Sequence, residues 1–573
     1  MKTTHSHELM PFSNKLHAEK YRKPGEDFRS AMTRIASTLA DNNEHFTHLR
    51  DILLDQRFLP GGRIQLAVGS TRAVTPYNCY VSGTISDSYT EGHGSIMARA
   101  REAAITMRQG GGIGYDFSTL RPRGALIKKL GSKSSGPVPF MDIFDSVCKA
   151  TSSSGHRRGA QMGVLRVDHP DIEEFVSSKQ NSHRFTGFNI SVAITDDFMK
   201  AVRDGTSFPL VFDNTLYRHI DARTLWNEIM RSTYDWADPG VLFIDRINEM
   251  NNLHYCEIIA ATNPCGEQPL PPYGACLLGS FNLTKYLTRE NNFGDWKFDW
   301  ESFYYDIPAV VRAMDNVIDN ARYPLHEQEQ EAISKRRMGL GITGVANAIE
   351  AMGTRYGSEM FNTRLDMIMS GLRDTAYKAS VELAKEKGAF PLYRRDEYLR
   401  SAFIQTLPEE IQDYIYHHGI RNSHLLSIAP TGTISLCANN VSSGIEPVFA
   451  HNLRRTLVEF NGPVVYELDD YGTKYLGVRG KTIDECSVDD HLSVLITASK
   501  FVDSAVSKTC NVPSTCNWDD FKQIYVKAWE NGCKGCTTYR IGGKRGSVLE
   551  TVIPTDTEAA CSFDPITGQR SCE

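Results

Sequence analysis

Strand-like and helix-like segments alternate through the middle of this chain, and that alternation predicts an α/β fold with functional residues at strand ends. Three observations carry the prediction. Apolar runs at Phe188 to Ile194 and Val241 to Ile244 read as strands. Asp196 to Arg203 and Ala222 to Trp236 carry helical spacing beside them. Leu425 to Ala429 reads as a further buried strand that runs into the hydroxyl-rich stretch Pro430-Thr431-Gly432-Thr433-Ile434-Ser435.

Taken in order, Met1 to Tyr21 is polar and lacks the apolar core of a signal peptide. From Phe28 to Leu54, Met32, Ile35, Leu39, Phe46, Leu49 and Leu53 recur at helical spacing, and Pro60-Gly61-Gly62-Arg63 reads as the turn that ends this region. Ser95 to Gln109 reads as a helix stopped by Gly110-Gly111-Gly112-Ile113-Gly114. A dinucleotide fingerprint needs a strand before its glycines, so a tight turn with close backbone packing is favoured here. Two small-residue loops flank a short helix from Phe140 to Lys149. The second contains Ser152, Ser153, Ser154, Gly155, His156 and Arg157 and ends in concentrated positive charge. That charge suits a phosphate or a solvated turn. Arg337 to Gly341 reads as the opening of a small-residue helix. Periodicity fades after Tyr539, and a mobile tail carrying Cys561 and Cys572 is expected.

Composition narrows the function classes. A chain of 573 residues with 41% hydrophobic and 23% charged residues is ordinary for a globular protein, and its length suits several domain-sized units or one large barrel. The net charge of −6 offers no general attraction to nucleic acid or anionic membranes. No apolar run is long enough to predict a membrane span. Thirteen scattered cysteines suit a cytoplasmic protein with some redox-active thiols better than a secreted disulfide framework.

Chemistry concentrates in Asn263-Pro264-Cys265-Gly266-Glu267-Gln268-Pro269-Leu270, with Cys276 eleven residues beyond Cys265. A thiol stands between an amide and a carboxylate, each two positions away. An extended backbone would send all three side chains to one face, and Gly266 with the later prolines favours a strand running into a loop. Hydroxyls and a glycine after a strand, as at Pro430 to Ser435, suit either a phosphate or the capping of a turn. Cys533 and Cys536 have CxxC spacing, which alone is half a zinc site, and no metal site is expected. Cys148, Cys256, Cys437 and Cys486 read as inert buried thiols.

The central stretch resembles the active-site loop of ribonucleotide reductases, in the form typical of the adenosylcobalamin-dependent class II enzymes. Asn78-Cys79-Tyr80-Val81, Gly110-Gly111-Gly112, Ser135-Gly136-Pro137-Val138 and Arg157 to Gly163 resemble family segments in the same order. So do His169 to Ile172, Asn189 to Val192, Ala429 to Thr433, Gly444 to Phe449 and Lys534 to Arg540. The resemblance covers roughly residues 15 to 548 and implies a ten-stranded α/β barrel of the reductase and glycyl-radical-enzyme type. A central finger loop would carry Cys265, within a barrel domain at 76–548, after a mostly helical region at 1–75 and before a redox tail at 549–573.

The same resemblance implies roles. Cys265 would carry a thiyl radical, with adenosylcobalamin as its source. Glu267 would be the general base, Asn263 a substrate hydrogen-bonding group, and Cys79 with Cys276 the source of two electrons. Pro430, Thr431, Gly432, Thr433, Ile434 and Ser435 would hold substrate phosphates. Ser152 to Arg157 would link a specificity site for a deoxynucleotide or ATP effector to the substrate base. Ser152, Ser153 and His156 depart from the commoner family residues there. Cys561 and Cys572 are favoured over Cys533 and Cys536 as the pair that passes electrons from a thioredoxin- or glutaredoxin-like reductant. A homodimer acting on ribonucleoside diphosphates is expected, with neither nucleic acid nor membrane as partner. The alternatives are a class I large subunit that needs a separate radical-generating subunit, and an inactive nucleotide-binding relative.

Overall fold

The computed structural model describes residues 8–544 apart from 154–156, 159, 181–183, 291–293 and 460–461. Three helices open it: α1 (Pro11–Tyr21), α2 (Phe28–Leu39) and α3 (Asn43–Leu54). Asp27 and Asn42 start α2 and α3 by accepting from the Ser30 and His45 amides, which satisfies donors that a helix leaves unpaired. Met32, Ile35, Leu39, Leu49 and Leu53 are all buried, as their helical spacing predicts. Instead of a simple turn, β1 (Phe58–Pro60) leads through Gly61 into α4 (Gly62–Ala67).

The α/β alternation follows: β2 (Cys79–Val81), α5 (Ile96–Arg108), β3 (Gly112–Asp116), α6 (Pro137–Ala150), β4 (Gln161–Arg166) and β5 (Phe188–Ile194). Next come α7 (Asp196–Asp204), α8 (Ala222–Trp236) and β6 (Gly240–Phe243). A small hairpin, β7 (Ala261–Thr262) and β8 (Pro269–Leu270), precedes β9 (Leu278–Asn282). Beyond it lie α9 (Trp300–Asn320), β10 (Gly339–Thr343), α10 (Glu359–Lys387), α11 (Gly432–Cys437), β11 (Thr509–Val512) and β12 (Gly535–Arg540).

One expectation is corrected here. The stretch from Arg337 to Gly341 opens the strand β10, buried along its whole length, and no helix. Its glycines do permit close packing: a methyl on Gly341 would lie 2.4 Å from the Ser427 carbonyl oxygen. A helix would have turned that backbone away from its neighbour.

A seven-stranded sheet runs β2–β3–β4–β5–β6–β12–β11, and a three-stranded sheet runs β1–β9–β10. Neighbours from β2 to β6 are parallel, β12 is antiparallel to β6, and β11 is parallel to β12. Isolated bridges link the two sheets. Tyr80 pairs with Ala275 just before β9, while the 425–428 segment pairs with β10 through Leu426 and with Val506 through Ile428.

Side-chain alternation sorts the strands between two cores. Ile190, Val192, Val241 and Phe243 join a cluster packed under helices, whereas Met162, Val164, Ala193 and Leu242 join a smaller cluster with Ala261, Leu270, Cys79 and Cys276. The second cluster seats the β7–β8 hairpin on the inner face of the sheet. Helices α2, α3, α9 and α10 contribute to the core behind β9 and β10. Among the described residues no helix is long and apolar enough to cross a membrane.

Glycine decides how closely the hairpin approaches. A methyl on Gly114 would lie 1.8 Å from the Thr262 carbonyl oxygen, whereas one on Gly163 would meet the flexible end of Met141 at 2.9 Å. Gly114→Ala is therefore expected to destabilise the fold by at least about 1–3 kcal/mol, and Gly163→Ala by less. The shift in urea midpoint at constant slope measures both.

Candidate active site

The tip of the hairpin is a tight turn and not the extended run that side-chain alternation predicts. The Asn263 amide donates to the Gln268 carbonyl at 3.2 Å, and the Gly266 amide to the Asn263 carbonyl at 3.1 Å. Gly266 stands at φ +84°, where a side chain is strained. Turn geometry, not strand alternation, gathers the amide, thiol and carboxylate.

Other segments hold this tip. The Ala505 amide and the Ser427 hydroxyl both donate to the Glu267 backbone carbonyl, at 3.0 and 2.9 Å. The Asn189 side-chain amide donates to the Pro264 carbonyl at 2.9 Å. Within the tip, Asn263 Oδ1 accepts from the Gln268 amide at 2.9 Å and the Thr262 hydroxyl at 3.2 Å. Its Nδ2 is buried without a hydrogen-bond partner among the described residues. A buried donor left over in this way is costly unless a ligand takes it. Asn263 is 0% exposed and Glu267 2% exposed, while Cys265 is only half-buried.

Cys79 and Cys276 lie side by side on adjacent antiparallel segments. The Cys276 amide donates to the Cys79 carbonyl at 2.9 Å, in register with the Tyr80–Ala275 bridge. Gly112 on β3 makes room for this pair, since a methyl there would come within 3.1 Å of Cys79 Sγ and 3.2 Å of Pro264. Burial first, then the neighbouring Cys79, Glu267 and Cys265, push the Cys276 thiol well above its ordinary range, so it stays protonated at neutral pH. These three cysteines and Glu267 thus share one electrostatic environment.

Cys79, Cys265 and Glu267 open onto a cavity of about 1200 Å³. Its far wall is the segment from Ala429 to Ile434, with Gly61, Gly62 and Arg63 beside it. Lys20, Arg63, Arg72, Arg108 and Arg322 also line it, against the single carboxylate of Glu267, which makes it attractive to an anion. Residue-by-residue reading missed Lys20, Arg72, Arg108 and Arg322, because no motif joins basic residues spread from position 20 to position 322. For Gly112 there was a signal, its place in a glycine run that favoured close packing.

The hydroxyls of the 430–435 segment are mostly committed to the fold. Thr431 Oγ1 shares a 2.9 Å hydrogen bond with Thr343 Oγ1 and accepts from the Gly444 amide at 2.7 Å. Ser435 Oγ donates to the Gly432 carbonyl and shares a hydrogen bond with Ser443, both at 2.9 Å. Thr431 itself is left-handed, at φ +56°. Gly432, Thr433 and Ile434, at the amide-bearing start of α11, line the cavity together with Ala429, Pro430 and Thr431.

The remaining sequence candidates divide. Ser152 and Ser153 pair antiparallel with Arg157 and Arg158 as a short hairpin. Ser154, Gly155 and His156 fall outside the described residues, as do Cys561 and Cys572. Cys533 and Cys536 are both buried, and the neighbouring Cys510, together with burial, pushes the Cys536 thiol well above its ordinary range. Cys148, Cys437 and Cys486 are buried as expected, but Cys256 is exposed, at the end of a surface turn.

Partial exposure of Cys265 against full burial of its neighbours sets an order of reactivity. Brief treatment of the native, reduced protein with iodoacetamide is expected to modify Cys265 ahead of Cys79 and Cys276. Peptide mass spectrometry reads the order, and equal rates would contradict the geometry.

The model of the ribonucleotide reductase barrel domain matches residues 78–539. A Mycobacterium tuberculosis protein named vitamin B12-dependent ribonucleoside-diphosphate reductase is 34% identical, over 97% of this chain and 82% of its own length. One of the same name from Thermoplasma acidophilum is 31% identical, over 93% of this chain and 70% of its own. A vitamin B12-dependent ribonucleotide reductase of Streptomyces coelicolor is 29% identical, over 94% of this chain and 64% of its own. A match spanning the hairpin, the paired cysteines and the cavity wall places the chain: it belongs to the ribonucleotide reductase barrel-domain family.

Proposed function

We propose that this chain reduces ribonucleotides, diphosphates in particular, to 2′-deoxyribonucleotides for DNA synthesis, with adenosylcobalamin as radical source. One observation carries the reading: a half-buried thiol, a buried carboxylate and Cys79, which is paired with the enclosed Cys276, line one cation-rich cavity. The names of the relatives support both the reaction and the cofactor.

The residues present fit such a cofactor. A cavity of about 1200 Å³ exceeds the roughly 300–1,000 Å³ of a site for one small molecule, so a nucleotide leaves room for the nucleoside end of the cofactor. Leu66, Val74 and Ile105, with the glycine edge at Gly61 and Gly62, would hold the second ligand. When bound there, adenosylcobalamin supplies the one-electron chemistry that activates Cys265.

In this reading the Cys265 thiyl takes the 3′-hydrogen of the ribose, and Glu267 takes the proton of the 3′-hydroxyl. Asn263 Nδ2 donates to the sugar. The 2′-oxygen leaves as water, protonated from the Cys79 and Cys276 pair, in which the raised Cys276 thiol holds its proton at neutral pH. The other thiol hydrogen of the pair goes to the 2′-carbon as the pair gives up two electrons and closes as a disulfide. Glu267 returns its proton to the 3′-oxygen, and Cys265 returns hydrogen to the 3′-carbon. Ribonucleotide and two thiols thereby become deoxyribonucleotide, water and one disulfide. Arg63 and the start of α11 take the phosphates.

The finer parts of the proposal follow the same lines. The two sheets are parts of a ten-stranded barrel, supported by the bridges at Tyr80, Leu426 and Ile428, with the β7–β8 hairpin as its central finger. Residues 1–75, 76–548 and 549–573 form the helical region, barrel domain and redox tail. Ser152 to Arg157 serve a nucleotide effector, and Cys561 with Cys572 pass electrons from a thioredoxin- or glutaredoxin-like protein. The enzyme is a cytoplasmic homodimer.

The deciding assay is reduction of CDP and CTP by the purified protein with dithiothreitol, with and without adenosylcobalamin and without a second subunit. Deoxynucleotide is expected only with the cofactor, and more from CDP. Product that requires an added radical-generating subunit would favour the class I alternative, and none under any condition the inactive one. Cys265→Ser is expected to lower turnover by roughly 10³-fold or more with nucleotide binding retained. Glu267→Gln should lower kcat by about 10²–10⁴-fold.

A further inference from the structure

Lys534 stands at the entry to β12 and is only 7% exposed. Its ammonium donates to the backbone carbonyls of Asp503 at 2.6 Å and Val502 at 3.4 Å, and also to that of Ser504. A single buried cation thus clasps three consecutive carbonyls of one loop. Its own carbonyl accepts from the Phe243 amide at 3.0 Å, which ties the clasp to the sheet at β6. Burial brings the ammonium down to about 8, against the opposing pull of the Asp503 carboxylate. At neutral pH it therefore remains charged, and its hydrogen bonds are the stronger, charge-assisted kind.

The clasped loop touches the candidate site directly. Its next residue, Ala505, donates the 3.0 Å hydrogen bond to the Glu267 carbonyl. Ser504 Oγ accepts from the Gln268 side-chain amide at 3.3 Å. The Asp503 carboxylate accepts from the Leu425 and Leu426 amides at 2.7 and 2.9 Å and from the Tyr377 hydroxyl at 2.8 Å. Those bonds fix the strand-like segment on which Ser427, the second donor to the Glu267 carbonyl, is carried. Both donors that hold the Glu267 backbone are therefore supported by one loop, and Lys534 grips that loop through three of its carbonyls.

We infer that Lys534 is a positioning residue for the catalytic hairpin: by clasping residues 502–504 it fixes the Ala505 and Ser427 donors, and through them the place of Glu267 relative to Cys265. The inference rests on the reductase reading for the meaning of that place, but the mechanical claim has its own readout. A loosened tip exposes Cys265 more often, so its alkylation in the native protein speeds up.

The test compares wild type, Lys534→Met, Lys534→Arg and Ser427→Ala in the full chain with cofactor, CDP and dithiothreitol, with kcat normalised to nucleotide-binding sites. Lys534→Met is expected to lower kcat roughly ten- to hundredfold, with KM changed by less than about twofold. Lys534→Arg restores most of the loss, since a guanidinium also donates to several acceptors. Lys534→Met leaves three buried carbonyls unpaired and is at risk of not folding. Ser427→Ala removes only one donor, and should lower kcat roughly three- to tenfold at constant KM. Iodoacetamide labelling of Cys265 should accelerate in both variants. Unchanged kcat per binding site with unchanged Cys265 labelling, or a loss confined to KM, overturns the inference. A wild-type protein that makes no deoxynucleotide would defeat the reductase reading instead, and Cys265 labelling alone would then decide the positioning claim.

Discussion

The backbone carbonyl of Glu267 is the point on which the site depends. It is the acceptor for two donors from distant parts of the chain, the Ala505 amide and the Ser427 hydroxyl. A hairpin tip of six residues has little apolar surface of its own and cannot hold a fixed shape unaided. Here bonds from 189, 427 and 505 replace the missing core. The glycines of β3 let the hairpin sit against the sheet in the first place, because any side chain at Gly114 would strike Thr262.

From that seating the electrostatics follow. Cys276 is enclosed beside Cys79, with Glu267 and Cys265 near enough to oppose its ionisation. Redox chemistry that must also deliver a proton benefits from thiols kept protonated. Cys265 is different: it is half-buried and lines the cavity. The same cavity is lined by Lys20, Arg63, Arg72, Arg108 and Arg322.

The wall from Ala429 to Ile434 illustrates how tertiary contacts reassign residues. Its hydroxyls suggest phosphate donors when read along the chain. Thr431 and Ser435 instead bind Thr343, Gly444, Gly432 and Ser443, which locks a left-handed threonine and a one-and-a-half-turn helix in place. Thr433 and the start of α11 line the cavity on a wall shaped by those hydroxyls. Cys256 was misread for a related reason: burial of a small thiol depends on what covers it, and nothing in its neighbours along the chain says.

The α/β character, the helical start, the strands at Phe188 and Val241 and the prominence of the Asn263 to Leu270 stretch were all legible in the sequence, because local periodicity and turn chemistry act over a few residues. The family was legible too, in the order of its motifs. Three things were decided only by tertiary structure. Arg337 to Gly341 became a strand because Ser427 and Leu278 lie against glycines. The central stretch became a tight hairpin because residues 189, 427 and 505 bond to it. Lys534 came to support the site from a separate sequence segment because three carbonyls converge on it. Each depends on contacts between residues far apart in sequence, and such contacts leave no periodic mark along the chain.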